Sequence, residues 1–456
     1  MTELTCFKSY DIRGKLGESL NTDIAYKIGR AFARVMDPGH VVVGRDARET
    51  SAELCAALTE GLRAEGVSVS DIGLCGTEEV YYATGAAKAG GGIMVTASHN
   101  PIDYNGMKLV GPSSTPIDPT TVFRAIHDMA ASEMGAPEKD SGPYQIVDVR
   151  AEYSRYVCDF ADSNALRPMK VLFNAGNGPA GLTADSIVQE LADRGVKLEV
   201  ERQFWEPDGS FPNGIPNPLL FENRAATADR VVATGADIGV AWDGDFDRCF
   251  FFDETGGFVD GEYVVALLAR SFLDSEPNAH IVHDPRVIWA TQDTVKSLGG
   301  HSDVAKVGHA FMKSVMRENK AVYGGEMSAH HYFRDFFYCD SGMIPWLKVI
   351  ELMGRTGQSL SALVADLQER FPSSGEINFR VADPKVEIET LAERLGPSAV
   401  AIDRLDGVSL EFPDWRVNLR ASNTEPLLRL NIETRGDREL LREKTAEIQS
   451  MISTVG

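Results

Sequence analysis

Asp243, Asp245 and Asp247 alternate at i, i+2, i+4 in "DGDFDR", directly after the apolar run "ADIGVAW". In extended backbone that spacing puts three carboxylates on one face. Three uncompensated negatives so close repel one another, and a cation between them is the natural solution. All-oxygen ligation suits a hard ion such as Mg²⁺. A second stretch, "VTASHNPIDYNG", sets Ser98 and His99 side by side between a β-like run and a Pro/Asp/Asn/Gly loop. A hydrolase serine needs a GxSxG elbow and a histidine from elsewhere. Here the glycines are missing, and in extended backbone His99 points away from Ser98. Beside a metal motif and basic residues, Ser98 is better read as a carrier of phosphate.

Each signal has a rival reading. The aspartates nearly fit an EF-hand loop with Glu254 at its twelfth position, but Arg248 stands where the sharp turn needs Gly. A phosphatase of the haloacid dehalogenase class also places DxD after an apolar strand, but there Thr, Ser or Val follows, where this chain has Asp247. A solvated acidic loop fits poorly between two apolar strands. "GEMSAHHYF" offers Glu326, Ser328, His330 and His331, acceptors and small donors suited to hydroxyl-rich ligands. Alternatively it is a satisfied polar loop. "NLRASNTEPLLRL" puts Arg420, Ser422, Asn423 and Thr424 between two strands, a guanidinium fork with hydroxyls that suits phosphate. An ordinary Asn-containing turn is the competing reading. "NAGNGPAG" formally spells GxGxxG through Gly176, Gly178 and Gly181, with Glu199 and Glu201 downstream, but a structural strand-to-helix turn is favoured over dinucleotide binding.

The elements that position these residues repeat. "HVVVGRDARETSAELCAALTEGLRAEGVSVSDIG", "KVLFNAGNGPAGLTADSIVQELADRGVKLEVE" and "HIVHDPRVIWATQDTVKSLGGHSDVAKVGH" each read as strand, loop, amphipathic helix, Gly, strand. Such βαβ units favour sheets with helices on both faces. Their starts lie over a hundred residues apart, which suggests three related α/β domains. After "ERFPSSGEINFRVADPK", alternating strands and a closing helix predict a smaller α+β domain. Linkers are expected near 145–153, 252–258 and 365–372.

At 456 residues the chain is long enough for two to four domains. The formal net charge of −22 argues against nucleic acid or an anionic membrane as partner. An anionic small substrate then needs a local basic pocket. No apolar run approaches the roughly 20 residues of a membrane span, and the start carries no secretory pattern. The six cysteines form no CxxC pair, so a reducing cytoplasm with free thiols is expected.

Taken in order, "YDIRG", "TASHNP…YNGMK", "DGDFDR", "GEMSAH" and "RASNTEP" resemble the α-D-phosphohexomutase superfamily over essentially the whole chain. The run "GEMSAHHYFRDFFYCDSGMIPWL" looks like its bacterial phosphomannomutase branch, which includes enzymes of GDP-mannose biosynthesis. The resemblance implies four domains around a central cleft, at about 1–148, 149–254, 255–367 and 368–456. Three are related α/β domains with mixed sheets, and the fourth is a smaller C-terminal α+β domain. It implies a phosphoserine at Ser98, Mg²⁺ on Asp243, Asp245 and Asp247 with a phosphoserine oxygen as further ligand, and Arg248 on the phosphoserine. Glu326 and Ser328 would take sugar hydroxyls with Arg286, His309 and His330 nearby, while Arg420, Ser422, Asn423 and Thr424 hold the phosphate not transferred. Tyr10, Arg13, His99 and Lys108 match family positions, the last three as candidates for moving the hydroxyl proton.

The implied reaction interconverts mannose 6-phosphate and mannose 1-phosphate through a hexose 1,6-bisphosphate, which also serves as activator, in a cytoplasmic monomer or weak homodimer. Phosphoglucomutase, phosphoglucosamine mutase and a DxD phosphatase are the alternatives. Two positions depart from the family pattern. Val307 stands where a Thr is usual, and Ala329 replaces the Gly of "GEMSGH".

Overall fold

The computed structural model describes residues 4–422 and 427–453. The chain forms two compact units. The first comprises Met1–Phe258 and His330–Gly357, the second Val259–Ala329 and Gln358–Gly456.

In the first unit, a six-stranded mixed sheet runs in the order Ile12–Lys15, Tyr104–Val110, Gly91–Val95, His40–Arg45, Ser68–Leu74 and Tyr144–Ile146. His40–Arg45 lies parallel to both Ser68–Leu74 and Gly91–Val95, and Tyr104–Val110 returns antiparallel. The residues of "VVV" are all buried, as a strand covered on both faces requires. Helices Thr22–Met36 and Ser51–Ala64 supply apolar side chains such as Ile28, Phe32, Leu54 and Leu58 to one core with Val41, Val43 and Val95. Asn21 caps the first of these, its side chain accepting from Ile24 N at 2.9 Å.

A second sheet repeats the plan. Met169–Asn174 lies parallel to both Leu198–Gln203 and Ile238–Trp242, and Cys249–Phe252 pairs antiparallel to the latter. An antiparallel pair, His331–Phe333 with Cys339–Asp340, also belongs to this unit.

In the second unit, His280–His283 is flanked in parallel by His301–Val304 and Tyr323–Gly325. The C-terminal sheet is wholly antiparallel, in the order Ile377–Arg380, Leu427–Thr434, Trp415–Ala421, Val408–Glu411 and Ala401–Asp403. Its core includes Leu391 and Ile448 from helices Pro384–Leu395 and Arg438–Met451.

All three expected βαβ units are present with parallel strands. The expected linkers fare differently. Residues 365–370 continue the helix Leu360–Arg370, and 252–258 is mostly a tight turn in which Asp253 N donates to Gly257 O at 2.8 Å. Residues 145–153 are split between a strand ending at Ile146 and a helix starting at Arg150. Among the described residues no helix is long and apolar enough to cross a membrane.

Candidate active site

The functional stretches sit at strand ends. Ser98 follows Gly91–Val95 by three residues, Asp243 follows Ile238–Trp242 directly, and Asp284 follows His280–His283. These are the carboxyl ends of strands in parallel ladders, where open α/β sheets bind ligands. "NAGNGPAG" is a strand-to-helix turn, as expected, with Gly176 and Asn177 both at φ +59° and the helix opening at Ala180.

In the first unit Ser98 is 3% exposed and adopts φ +48°. Its Oγ donates to Asp243 Oδ2 at 2.6 Å and lies 3.0 Å from His99 Nδ1. The expectation that His99 points away is therefore overturned. It assumed extended backbone, and the left-handed turn at Ser98 brings the two side chains together. Gly244 permits the approach, because a Cβ there would lie 2.5 Å from Ser98 O.

The three aspartates converge, with one oxygen of each within 4.8 Å of the others, and all are almost fully buried. They do so around a turn with Phe246 at φ +44°, not along a flat strand. Nor are they uncompensated. Arg248 donates to Asp243 Oδ2 through Nε at 3.0 Å and Nη2 at 2.7 Å. Lys108 donates to Asp245 Oδ2 at 2.7 Å and also contacts Asp247 Oδ2, and Thr77 Oγ1 donates to Asp245 Oδ2 at 2.6 Å. What remains is Asp245 Oδ1 and Asp247 Oδ1, buried and accepting no hydrogen bond from the described residues. Buried carboxylate oxygens without donors are costly, and a hard divalent cation fits that oxygen set.

The electrostatics follow from this arrangement. Burial and the Asp245 charge hold Asp247 well above the usual carboxylate range. Burial also raises Asp243, against the pull of Arg248. Asp245 moves the other way: burial raises it, but Lys108 together with hydrogen bonds from Thr77 and Ser98 lowers it further. His99 is pushed well below its ordinary value by burial and by Arg248 and Arg13, so its imidazole is neutral at pH 7. Arg248 Nη2 contacts His99 Nδ1 and can only donate, so that nitrogen is an acceptor. The Ser98 hydroxyl proton is therefore directed to Asp243.

Arg13 lies in the strand Ile12–Lys15, where it donates to Asp11 at 2.8 Å and to Asn100 Oδ1 at 2.7 Å. Tyr10 precedes that strand. His330, grouped by sequence with the sugar loop, has its Nε2 3.6 Å from Asp247 Oδ1.

The second unit assembles arginines. Arg286 pairs with Asp284 and donates to Glu376 Oε2 and to Ser328 Oγ, both at 3.3 Å. Arg420, in the strand Trp415–Ala421, reaches Glu376 at 3.5 Å, and Arg429 reaches it at 3.0 Å. Three guanidiniums thus converge on one carboxylate, which they hold below its usual range despite burial. Arg420 Nε and Arg429 Nε are buried and donate to nothing among the described residues. With Asp284 and Glu376 counted against the three guanidiniums, one positive charge is left over, and with the idle donors it is suited to an anion such as phosphate.

Ser422 lies at 3.5 Å from Arg429, while Asn423 and Thr424 lie outside the described residues. Glu326 accepts from Gly308 N at 2.9 Å, and His309 opens the helix His309–Asn319. Val307 offers its backbone N–H to Asp406. Ala329 adopts φ +70°, where the glycine it replaces would be unstrained.

Sequence reasoning missed Thr77, Glu376, Arg429 and Arg48, whose Nη2 donates to Ser98 O at 3.0 Å. Only "GRDARET", a polar stretch after a buried strand, held a signal for Arg48.

Four family models match the chain. Those described as phosphoglucomutase/phosphomannomutase alpha/beta/alpha domains I, II and III match residues 5–134, 151–257 and 260–371, and that of the C-terminal domain matches 376–450. The chain belongs to the phosphoglucomutase/phosphomannomutase family. It is accordingly a mutase with the four-domain α/β architecture that the motifs imply: three domains with mixed sheets and a smaller C-terminal one.

Among relatives, a phosphomannomutase of Salmonella montevideo is 51% identical over 100% of both chains. A protein of Xanthomonas campestris (strain B100) named "Phosphohexose mutases" is 51% identical over 98% of this chain and 99% of its own. A Burkholderia thailandensis structure, a phosphoglucomutase/phosphomannomutase family protein, matches with TM-score 0.87 and 31% identity, over 99% of this chain and 97% of that one. The acidic cluster fits the metal dependence of the family.

Proposed function

We propose that this protein is a phosphomannomutase that interconverts mannose 6-phosphate and mannose 1-phosphate through a phosphoserine at Ser98. The observation that carries the proposal is the buried Ser98 Oγ, 2.6 Å from Asp243 in a three-aspartate cluster. That is the constellation expected of a phosphoryl carrier beside a divalent ion. Full-length relatives named phosphomannomutase support the choice of sugar.

The Ser98 Oγ–P bond breaks as a P–O bond forms to the free hydroxyl of the sugar monophosphate, giving hexose 1,6-bisphosphate. The hydroxyl proton returns to Ser98 Oγ through the group Arg13, His99 and Lys108. The bisphosphate then turns end for end and gives its other phosphoryl back to Ser98. Mg²⁺ on Asp243, Asp245 and Asp247 would offset charge on the transferring group. Arg248 and Lys108 hold those carboxylates in place, and Arg248 also meets the phosphoserine. Arg286, Arg420, Ser422, Asn423 and Thr424 grip the phosphate that is not transferred, with Tyr10, His309, Glu326, Ser328 and His330 on the sugar. Added hexose 1,6-bisphosphate primes Ser98.

The description of the matching family models, phosphoglucomutase/phosphomannomutase, favours a second substrate, glucose 1-phosphate. Interconversion assays with mannose and glucose 1-phosphates side by side, primed with bisphosphate, test both. The expected result is isomerisation of mannose 1-phosphate with no net release of inorganic phosphate. Stoichiometric release of phosphate without isomerisation would overturn the reading in favour of a phosphatase.

A further inference from the structure

Asp247 stands at the junction of two ligand sets. One is the all-oxygen trio. The other is Asp247, His330 and Asp340, each offering a ligand atom within 4.8 Å of the others.

The backbone builds this second set. His330 forms an antiparallel bridge with Arg248, the residue after Asp247. The strand that follows, His331–Phe333, pairs with Cys339–Asp340 and sets Tyr332 opposite Asp340. Asp247 and Asp340 are 1% and 2% exposed. The 3.6 Å between His330 Nε2 and Asp247 Oδ1 is too long for a hydrogen bond, yet Oδ1 is buried and accepts from nothing else among the described residues. Lys108 and Thr77 do not relieve it, since Lys108 contacts the other oxygen of Asp247 and Thr77 bonds Asp245.

Donor type separates the two sets. Three carboxylates suit Mg²⁺, whereas a set with one imidazole favours ions of the zinc class. We propose that Asp247, His330 and Asp340 form a second cation site that takes a borderline transition ion such as Zn²⁺. It shares Asp247 with the all-oxygen cluster, so Zn²⁺ and Mg²⁺ compete for that carboxylate. This goes beyond the mutase reading and does not rest on it, because the site is defined by binding alone.

The test is Zn²⁺ titration calorimetry on the full chain, with X-ray absorption spectroscopy of the one-to-one Zn²⁺ complex. The expected spectrum contains imidazole scattering from one histidine. Asp340→Asn and His330→Gln should each weaken Zn²⁺ by about tenfold or more, the scale on which even outer-shell partners act. Mg²⁺ affinity of Asp340→Asn should stay near wild type. A shell of oxygen only, no stoichiometric Zn²⁺ binding, or unchanged Zn²⁺ affinity in Asp340→Asn would overturn the proposal. The spectrum is taken on the wild-type protein, so it decides the matter even if a variant fails to fold.

Discussion

At Ser98 the backbone occupies the left-handed region, which costs a non-glycine residue about 1–2 kcal/mol. Arg48 holds the loop there. Its buried guanidinium donates to the carbonyls of Ser98 at 3.0 Å, Asn100 at 2.5 Å, Pro101 at 2.9 Å and Tyr104 at 3.1 Å. A lysine keeps the charge but cannot reach four acceptors with one ammonium. Arg48→Lys should therefore lower kcat on the order of a hundredfold, the scale of a misplaced reacting group, with KM and the circular dichroism spectrum little changed. Steady-state kinetics check this, and an unchanged kcat would show that the loop holds itself. Residues of this kind were barely legible in the sequence, where only the polar stretch "GRDARET" after a buried strand pointed to Arg48. Ser98 and the aspartates announce themselves because their chemistry is packed into a few adjacent positions. Arg48 acts on carbonyls about 50 residues away, and Glu376 gathers arginines from three segments, so no local spacing records either.

Strands and helices were the most legible level. Three β-branched runs followed by 3.6-residue periodicity specified the parallel βαβ units, and those units place Ser98, Asp243 and Asp284 after strand ends. Connections were harder, because the helix Leu360–Arg370 runs to the edge of the Pro/Ser/Gly stretch that follows, so its last turn falls inside the expected linker. Left-handed residues such as Ser98 and Phe246 were also missed, since neither is glycine. One element carries a pH dependence. Glu262, at the start of the helix Gly261–Ser275, has its carboxyl pushed up to about 8 by burial and by Asp260. The folded protein thus binds this proton more tightly than the unfolded chain does. From about pH 4.5 to 8 that group makes stability fall as pH rises. Glu262→Gln should flatten this part of the profile and raise the melting temperature at pH 8 relative to wild type, as read by thermal denaturation across pH. A variant melting lower than wild type at pH 8 would mean that the carboxylate is stabilising there.

Over the whole molecule, a formal net charge of −22 coexists with an anionic substrate class because the positive charge is concentrated. Arg286, Arg420 and Arg429 converge on Glu376 in one unit, with only Asp284 as a second carboxylate on Arg286, and Arg248 and Lys108 stand among the aspartates in the other. Two functional loops thus carry opposite excesses, one suited to a cation and one to phosphate. The central claim is that Ser98 is the phosphoryl carrier, and intact-mass spectrometry with peptide mapping tests it most directly. After incubation with hexose 1,6-bisphosphate the chain should gain about 80 Da, one phosphoryl group, at Ser98. A chase with mannose 6-phosphate should remove that mass within a turnover, transferring it to the sugar. A fully active protein with Ser98 unmodified, or a phosphoryl group that the chase leaves in place, would contradict the account.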